Sequence, residues 1–177
     1  MNNVNLEVDI MGRIRQFMRC ICADVNDSDK LFIKSYLDEE EMCLLNKLPK
    51  HDIKHCINVA RDIVNNESNE YLDEFNINFK ELIRSAILHD IGKLYKPLNV
   101  VEKSMLVLLD YFTKGKLNRY ENKNSNIYIY YNHGQEGYNI LKNKGYNIEF
   151  LNVIKNHHNC NEDSKWLEIL RRYDNRN

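Results

Sequence analysis

Proline and glycine are scarce in this chain, two and six residues out of 177. Few points therefore force the backbone to turn, which favours long helices over short strands joined by tight turns. Net charge is nearly absent: 25 Lys and Arg against 26 Asp and Glu give −1. No global field would draw nucleic acid or an anionic membrane surface. No apolar run approaches the ~20 residues of a membrane span. The N-terminus shows no basic stretch followed by an apolar core of the kind that directs secretion. A soluble cytoplasmic protein without a membrane partner is expected. The five cysteines, Cys20, Cys22, Cys43, Cys56 and Cys160, are odd in number and lack a disulfide-like spacing. Cys20-x-Cys22 has no second pair to complete a zinc knuckle, and most of the thiols read as buried groups in a reducing compartment.

What is present is ordinary for a globular chain, 43% hydrophobic and 29% charged, and long enough for one core but not comfortably for two. Lys114, Lys116, Arg119 and Lys123 form a basic stretch inside a polar, Asn-rich segment and read as a solvated, mobile connection rather than a nucleic-acid patch. Apolar spacing predicts helices over "VDIMGRIRQFMRCICADV", over "NDSDKLFIKSYL" behind its cap-forming residues, and over "DEEEMCLLNKL", which stops before Pro49. In "KHDIKHCINVARDIV", Ile53, Ile57, Ala60 and Val64 form one stripe with His55 on its flank. "NFKELIRSAILHDIG" starts at an Asn cap and ends at Gly92 as a C-cap. "VEKSMLVLLDYF" reads as a buried helix, and "IYIYY" as a helix or an extended lead-in. "HGQEGYNILKNKG", "IEFLNVIKNHH" and "EDSKWLEILRRYDN" read as three more helices, with Gly134 and Gly137 serving close helix packing. The expected fold is all-α, a single compact bundle of about eight or nine helices.

The six histidines are His51, His55, His89, His133, His157 and His158, and each falls near an expected helix end or on a helix flank. Imidazole mixed with carboxylate suits iron, manganese, zinc or nickel, whereas oxygen-only cages suit magnesium or calcium. Two His-Asp pairs occur, His51-Asp52 and His89-Asp90. The second lies where a helix ends, so both side chains can aim at one ion, and the two oxygens of Asp90 can bridge a pair. His51 and His55, four apart, form an alternative helical chelate. Lys93 places a cation beside the pair, either for a phosphate oxygen or to complement the helix C-terminus. Arg61 lies off the face of His55.

The ordered set His55, His89-Asp90, His133, His157 and Asp174 resembles the HD-domain superfamily of metal-dependent phosphohydrolases. "HDIKHCINVA" is similar to the family's first helix, which makes His55 rather than His51 the first ligand and the 51–52 pair a decoy. "AILHDIGK" resembles its signature segment, "HGQEGYNIL" its third, "VIKNHH" its fourth, and "LEILRRYDNRN" the helix carrying the closing Asp. The resemblance implies an HD domain over 49–177, with 1–48 a helical segment packed on its core. It implies a first ion held by His55, His89, Asp90 and Asp174, and a second held by His133 and His157 with Asp90 shared. Asp90 and Lys93 would carry catalysis, and His158 would be a neighbouring or substrate-contacting group. The ions would be two divalent metals, iron or manganese, with nickel, zinc or magnesium as alternatives. The substrate would be a phosphorylated small molecule, a nucleotide or dinucleoside polyphosphate, with no nucleic acid expected. The set resembles the binuclear branch of symmetrical diadenosine tetraphosphate hydrolases and HD-GYP proteins. The chain reads "HHNCNEDSKW" where the latter carry Gly-Tyr-Pro, so cyclic-di-GMP is not expected. HD-fold di-iron oxygenases share these ligands, and a non-catalytic metal-binding regulator using residues 1 to 48 is the remaining alternative.

Overall fold

The structure, a computed structural model, describes residues 24–159 and 161–177, and within them holds nine α-helices, two 3-10 helices and no strand. The helix expected over 8–25, together with Cys20, Cys22 and Cys160, falls at or outside the edge of the described residues. Most helix starts follow side-chain caps. Asn26 opens α1 (Asp27–Tyr36): its side chain accepts from the Asp29 amide at 2.9 Å, while the Asp29 carboxylate accepts from the Asn26 amide at 3.1 Å. Asp38 and Glu41 repeat this reciprocal pair at α2 (Glu39–Leu45). Each pair satisfies two amide donors that no helical carbonyl can reach. The same two acids also fasten the core. Asp29 accepts from Lys54 at 2.6 Å and Arg61 at 3.1 Å, both on α3 (Lys50–Asn66). Glu41 accepts from Arg84 of α5 (Phe79–Leu88) at 2.7 Å and from the Tyr146 hydroxyl at 2.5 Å. Arg61 is thus a structural residue.

The main core is built where α3 and α5 face each other, α4 (Asn69–Asp73) lying between them in the chain. Ile53, Ile57 and Ala60 are buried as their spacing requires, joined by Val59 and Ile63, while Val64 sits at the edge. α5 contributes Leu82, Ile83, Ala86, Ile87 and Leu88, all without solvent contact. α8 (Ile148–Asn156) adds Phe150, Val153 and Ile154, and α9 (Lys165–Asp174) adds Leu167, Ile169 and Leu170. The Trp166 indole donates to Ser85 Oγ at 2.9 Å, so this buried polar pair is satisfied.

Three expectations are corrected. α6 (Val100–Thr113) is not buried: Leu106 alone of its residues is, while Val101 is 65% and Phe112 75% exposed, with Met105, Leu108 and Leu109 also open. Its inner edge rests on a small cluster of Leu106, Leu117 and Ile127, too narrow to cover the helix. The basic segment is not an open connection, because Lys116–Lys123 winds into a 3-10 helix pinned by buried Leu117, although Lys114, Lys116, Arg119 and Lys123 do remain exposed. Gly92 is not a C-cap. α5 ends at Leu88, and Gly92 lies within the 3-10 helix Ile91–Tyr95, pressed against α7 (Ser125–Leu141). "IYIYY" resolves as helix, continuous in α7 with "HGQEGYNIL" behind the Asn124 cap.

Candidate metal centre

Three helix ends meet at one place. His89 is the C-cap of α5, His157 is the C-cap of α8, and Asp174 is the last residue of α9. His55 projects from the middle of α3 and His133 from the middle of α7. The carbonyls of a last helical turn have no amide partner, and the capping histidines use them. His89 Nδ1 donates to Ala86 O at 2.8 Å, and His157 Nδ1 donates to Ile154 O at 2.8 Å. His133 Nδ1 does the same within its helix, to Ile129 O at 3.1 Å and Tyr130 O at 3.2 Å. A carbonyl only accepts, so each Nδ1 carries the hydrogen and each Nε2 turns towards the centre. Helix C-termini also carry partial negative charge, which favours a cation at the ends of α5 and α9. The α8 end is instead covered by Arg171, which donates to the carbonyls of Asn156 at 2.8 Å and His157 at 3.0 Å and so fixes the His157 backbone.

The inward-facing atoms fall into two groups on either side of Asp90. His55 Nε2 lies 2.8 Å and His89 Nε2 3.6 Å from Asp174 Oδ1, and these two nitrogens stand 3.9 and 3.5 Å from Asp90 Oδ2. On the other side, His133 Nε2 is 3.3 Å and His157 Nε2 4.0 Å from Asp90 Oδ1. The ligand atoms of His55, His89 and Asp174 lie within 4.8 Å of one another, as do those of His133, His157 and His158. His89 Nε2 and Asp90 Oδ1 are buried without a hydrogen-bond partner. His133 Nε2 and His157 Nε2 face each other at 3.2 Å, two lone pairs opposed if both rings are neutral. Buried polar atoms left in this state are costly, and a cation between them removes the cost. The residues present therefore fit a divalent metal. His51 belongs to neither group.

The charges match this arrangement. Burial opposes ionisation of Asp90, yet Lys93, His89 and His133 hold its carboxyl well below the usual range. Burial likewise opposes ionisation of Asp174, which His55 and His89 hold low. His89 is raised well above an ordinary imidazole: burial opposes its charge, but Asp90 and Cys56 favour it. Burial drives His157 well down, reinforced by His158 and His133, and drives His55 down against Asp174. Burial and His133 push His158 to about 4.

The metal-free protein should consequently lose stability as pH falls from 6.5 towards 4. Groups lowered in the folded state, His55, His157 and His158, stabilise it above 6.5 and resist protonation below. In that window the raised His89 still contributes fully, its share being lost only as pH rises through its folded value. Asp90 and Asp174 lose theirs only below 3.8. Urea midpoints measured across this range with chelator present should fall steadily, and a flat profile would show that the imidazoles charge in place.

The site also contains residues the sequence reading passed over. Asp52, assigned to the decoy pair, is 1% exposed and accepts from Lys103 of α6 at 2.8 Å, with Lys93 Nζ 3.6 Å away. Lys93 in turn donates to Asp90 Oδ2. Two carboxylates, Asp52 and Asp90, thus meet two ammonium groups from different elements. Asp52 had a signal, three residues before His55; Lys103 had none, because its partner lies 51 residues away. Cys56, beside His55, is fully buried against His89 and Asp90. Compared with known families, residues 52–175 match the HD domain. Comparison with curated proteins and with solved structures gave no match.

Proposed function

Since the chain belongs to the HD domain family, largely metal-dependent hydrolases, we propose that it is a binuclear phosphohydrolase acting on a nucleotide or dinucleoside polyphosphate. The observation that supports this reading most is the placement of Asp90. Its Oδ2 faces the His55, His89 and Asp174 group, while its Oδ1 faces His133 and His157. In this reading His55, His89, Asp90 and Asp174 hold one divalent ion. His133, His157 and the shared Asp90 hold the other, with His158 beside it. When bound, such a pair acidifies a water molecule and polarises a phosphoryl oxygen.

The chain's own part is positioning. Lys93 is half-buried, its ammonium raised in pKa by Asp90 and Asp52 against the pull of burial, so it remains a fixed cation for a substrate oxygen. Asp52 holds Lys93 from behind and links it to Lys103, which adds a second positive charge from α6. Oxygens of a polyphosphate are the complementary chemistry. No helix of the described residues is long and apolar enough to cross a membrane.

Two variants separate the roles. His133→Ala should reduce bound metal from about two ions to one per chain, because a lost imidazole leaves the second ion under-coordinated. Lys93→Ala should retain both ions and lower turnover by about 100-fold or more, the scale of losing one donor to developing charge. The assay is anaerobic phosphate or nucleotide release, with manganese or ferrous iron, from a panel of nucleotides and dinucleoside polyphosphates. Full activity and unchanged metal content in His133→Ala would overturn the binuclear reading. Strict oxygen consumption without hydrolysis would overturn the hydrolase.

A further inference from the structure

We infer that Cys56 is a ligand in this centre, so that one ion is held by sulfur as well as by imidazole and carboxylate. The inference rests on the metal-centre reading above and adds a donor that no part of that reading requires. Cys56 follows His55 on α3 and has no solvent exposure. Its Sγ, a ring nitrogen of His89 and a carboxylate oxygen of Asp90 lie within 4.8 Å of one another. Buried cysteines ordinarily serve as small apolar fillers. What distinguishes Cys56 is its company, since His89 Nε2 and Asp90 Oδ1 are buried atoms with no hydrogen-bond partner. The sulfur therefore has beside it two metal-ligating side chains, each carrying one such atom, rather than apolar side chains alone.

The distances are within reach of one ion. Metal–sulfur and metal–nitrogen bonds of about 2.3 and 2.1 Å set tetrahedral neighbours about 3.6 Å apart, so side-chain adjustments of about 1 Å or less bring atoms now within 4.8 Å of one another into one coordination sphere. The thiol gives its proton to solvent as the sulfur coordinates, and no oxidant or reductant is involved. The chemical consequence is selectivity. Thiolate strengthens binding of zinc, cadmium and cobalt relative to manganese or magnesium, which gain little from a soft donor.

The test uses the full chain, stripped by chelator and titrated with cobalt(II), then with cadmium against manganese, alongside Cys56→Ser and Cys56→Ala. Wild type should develop sulfur-to-cobalt charge-transfer absorption in the near ultraviolet together with visible ligand-field bands. Both variants should keep ligand-field bands, lose the charge-transfer band, and lose at least ~10-fold in cadmium-over-manganese preference, as tampering with a ligand shell does. Wild type showing ligand-field bands without charge transfer would overturn the role of Cys56 and leave the centre standing. Charge transfer surviving in both variants would place the thiolate on another cysteine and likewise overturn it. Wild type that binds no cobalt would overturn this inference and the metal-centre reading together.

Discussion

Asp90→Asn should empty the centre of metal while leaving a folded protein. Asparagine keeps the shape of the side chain but removes the one charge that both halves of the site share. Asp90 Oδ1 stands 3.3 Å from His133 Nε2, and Oδ2 stands 3.5 Å from His89 Nε2. In the binuclear reading neither ion would have a substitute anion equally close to both groups, since Asp174 serves only the His55 and His89 side. Lys93 loses its nearest partner but retains Asp52 at 3.6 Å, which limits the damage to folding. Elemental analysis should find fewer than one ion per chain, against about two in the wild type. Turnover should fall by at least ~100-fold, because activation of water near neutral pH depends on the ions. His51→Ala is the control and should leave metal content unchanged, as His51 stands outside both ligand groups. Full metal loading in Asp90→Asn, or loss of metal in His51→Ala, would reverse the assignment.

Gly92→Ala should be the most damaging small substitution for the fold. A Cβ there would lie 1.8 Å from the His133 carbonyl oxygen and 2.4 Å from the Gly137 amide nitrogen. Both are backbone atoms of α7, so no side chain can swing away and the whole helix must retreat. It cannot retreat freely, because on its other flank a Cβ at Gly134 would already lie 2.5 Å from the Lys155 carbonyl of α8. Overpacking of this kind costs roughly 3 kcal/mol, or about 6–12 °C in melting temperature for a chain of this size. Displacing α7 also carries His133 away from Asp90, so the second ion should be lost with it. Gly145→Ala gives the contrast. Nothing lies within 4 Å of its Cβ, and only the positive φ of 81° resists the change, a cost of about 1–2 kcal/mol. Equal melting temperatures for the two variants would show that α7 is not wedged as described.

Some of this was open to inspection in the sequence because its physics is local. Asn26, Asp38, Asn78 and Asn124 each start a helix by accepting from an amide two or three residues on, and a cap needs no distant partner. The stripe Ile53, Ile57, Ala60 is a property of one helix and stayed buried. His89-Asp90 could be singled out for the same reason, standing where a helix ends. Its carbonyl-bound Nδ1 follows from that position, since Ala86 is three residues earlier.

Partners between elements left no such trace. Periodicity records that a helix has an apolar face, not whether another element arrives to cover it. "VEKSMLVLLDYF" therefore looked like core, yet Val101, Met105 and Phe112 lie open. "IYIYY" alternates like a strand, but a strand needs a neighbour to pair with, and no strand exists among the described residues, so its amides close a helix instead. Asp52 looked like half of a decoy until packing set it beside Lys93 and Lys103 from two other elements. The sequence by itself determined most of the helices and the order of the chemical groups, because both depend on residues within a turn or two of each other. Only the tertiary structure decided which carboxylate each cation meets, that Asp90 stands between two sets of imidazoles, and that Cys56 packs beside His89 and Asp90. Those facts depend on distances between helices, which no local pattern encodes.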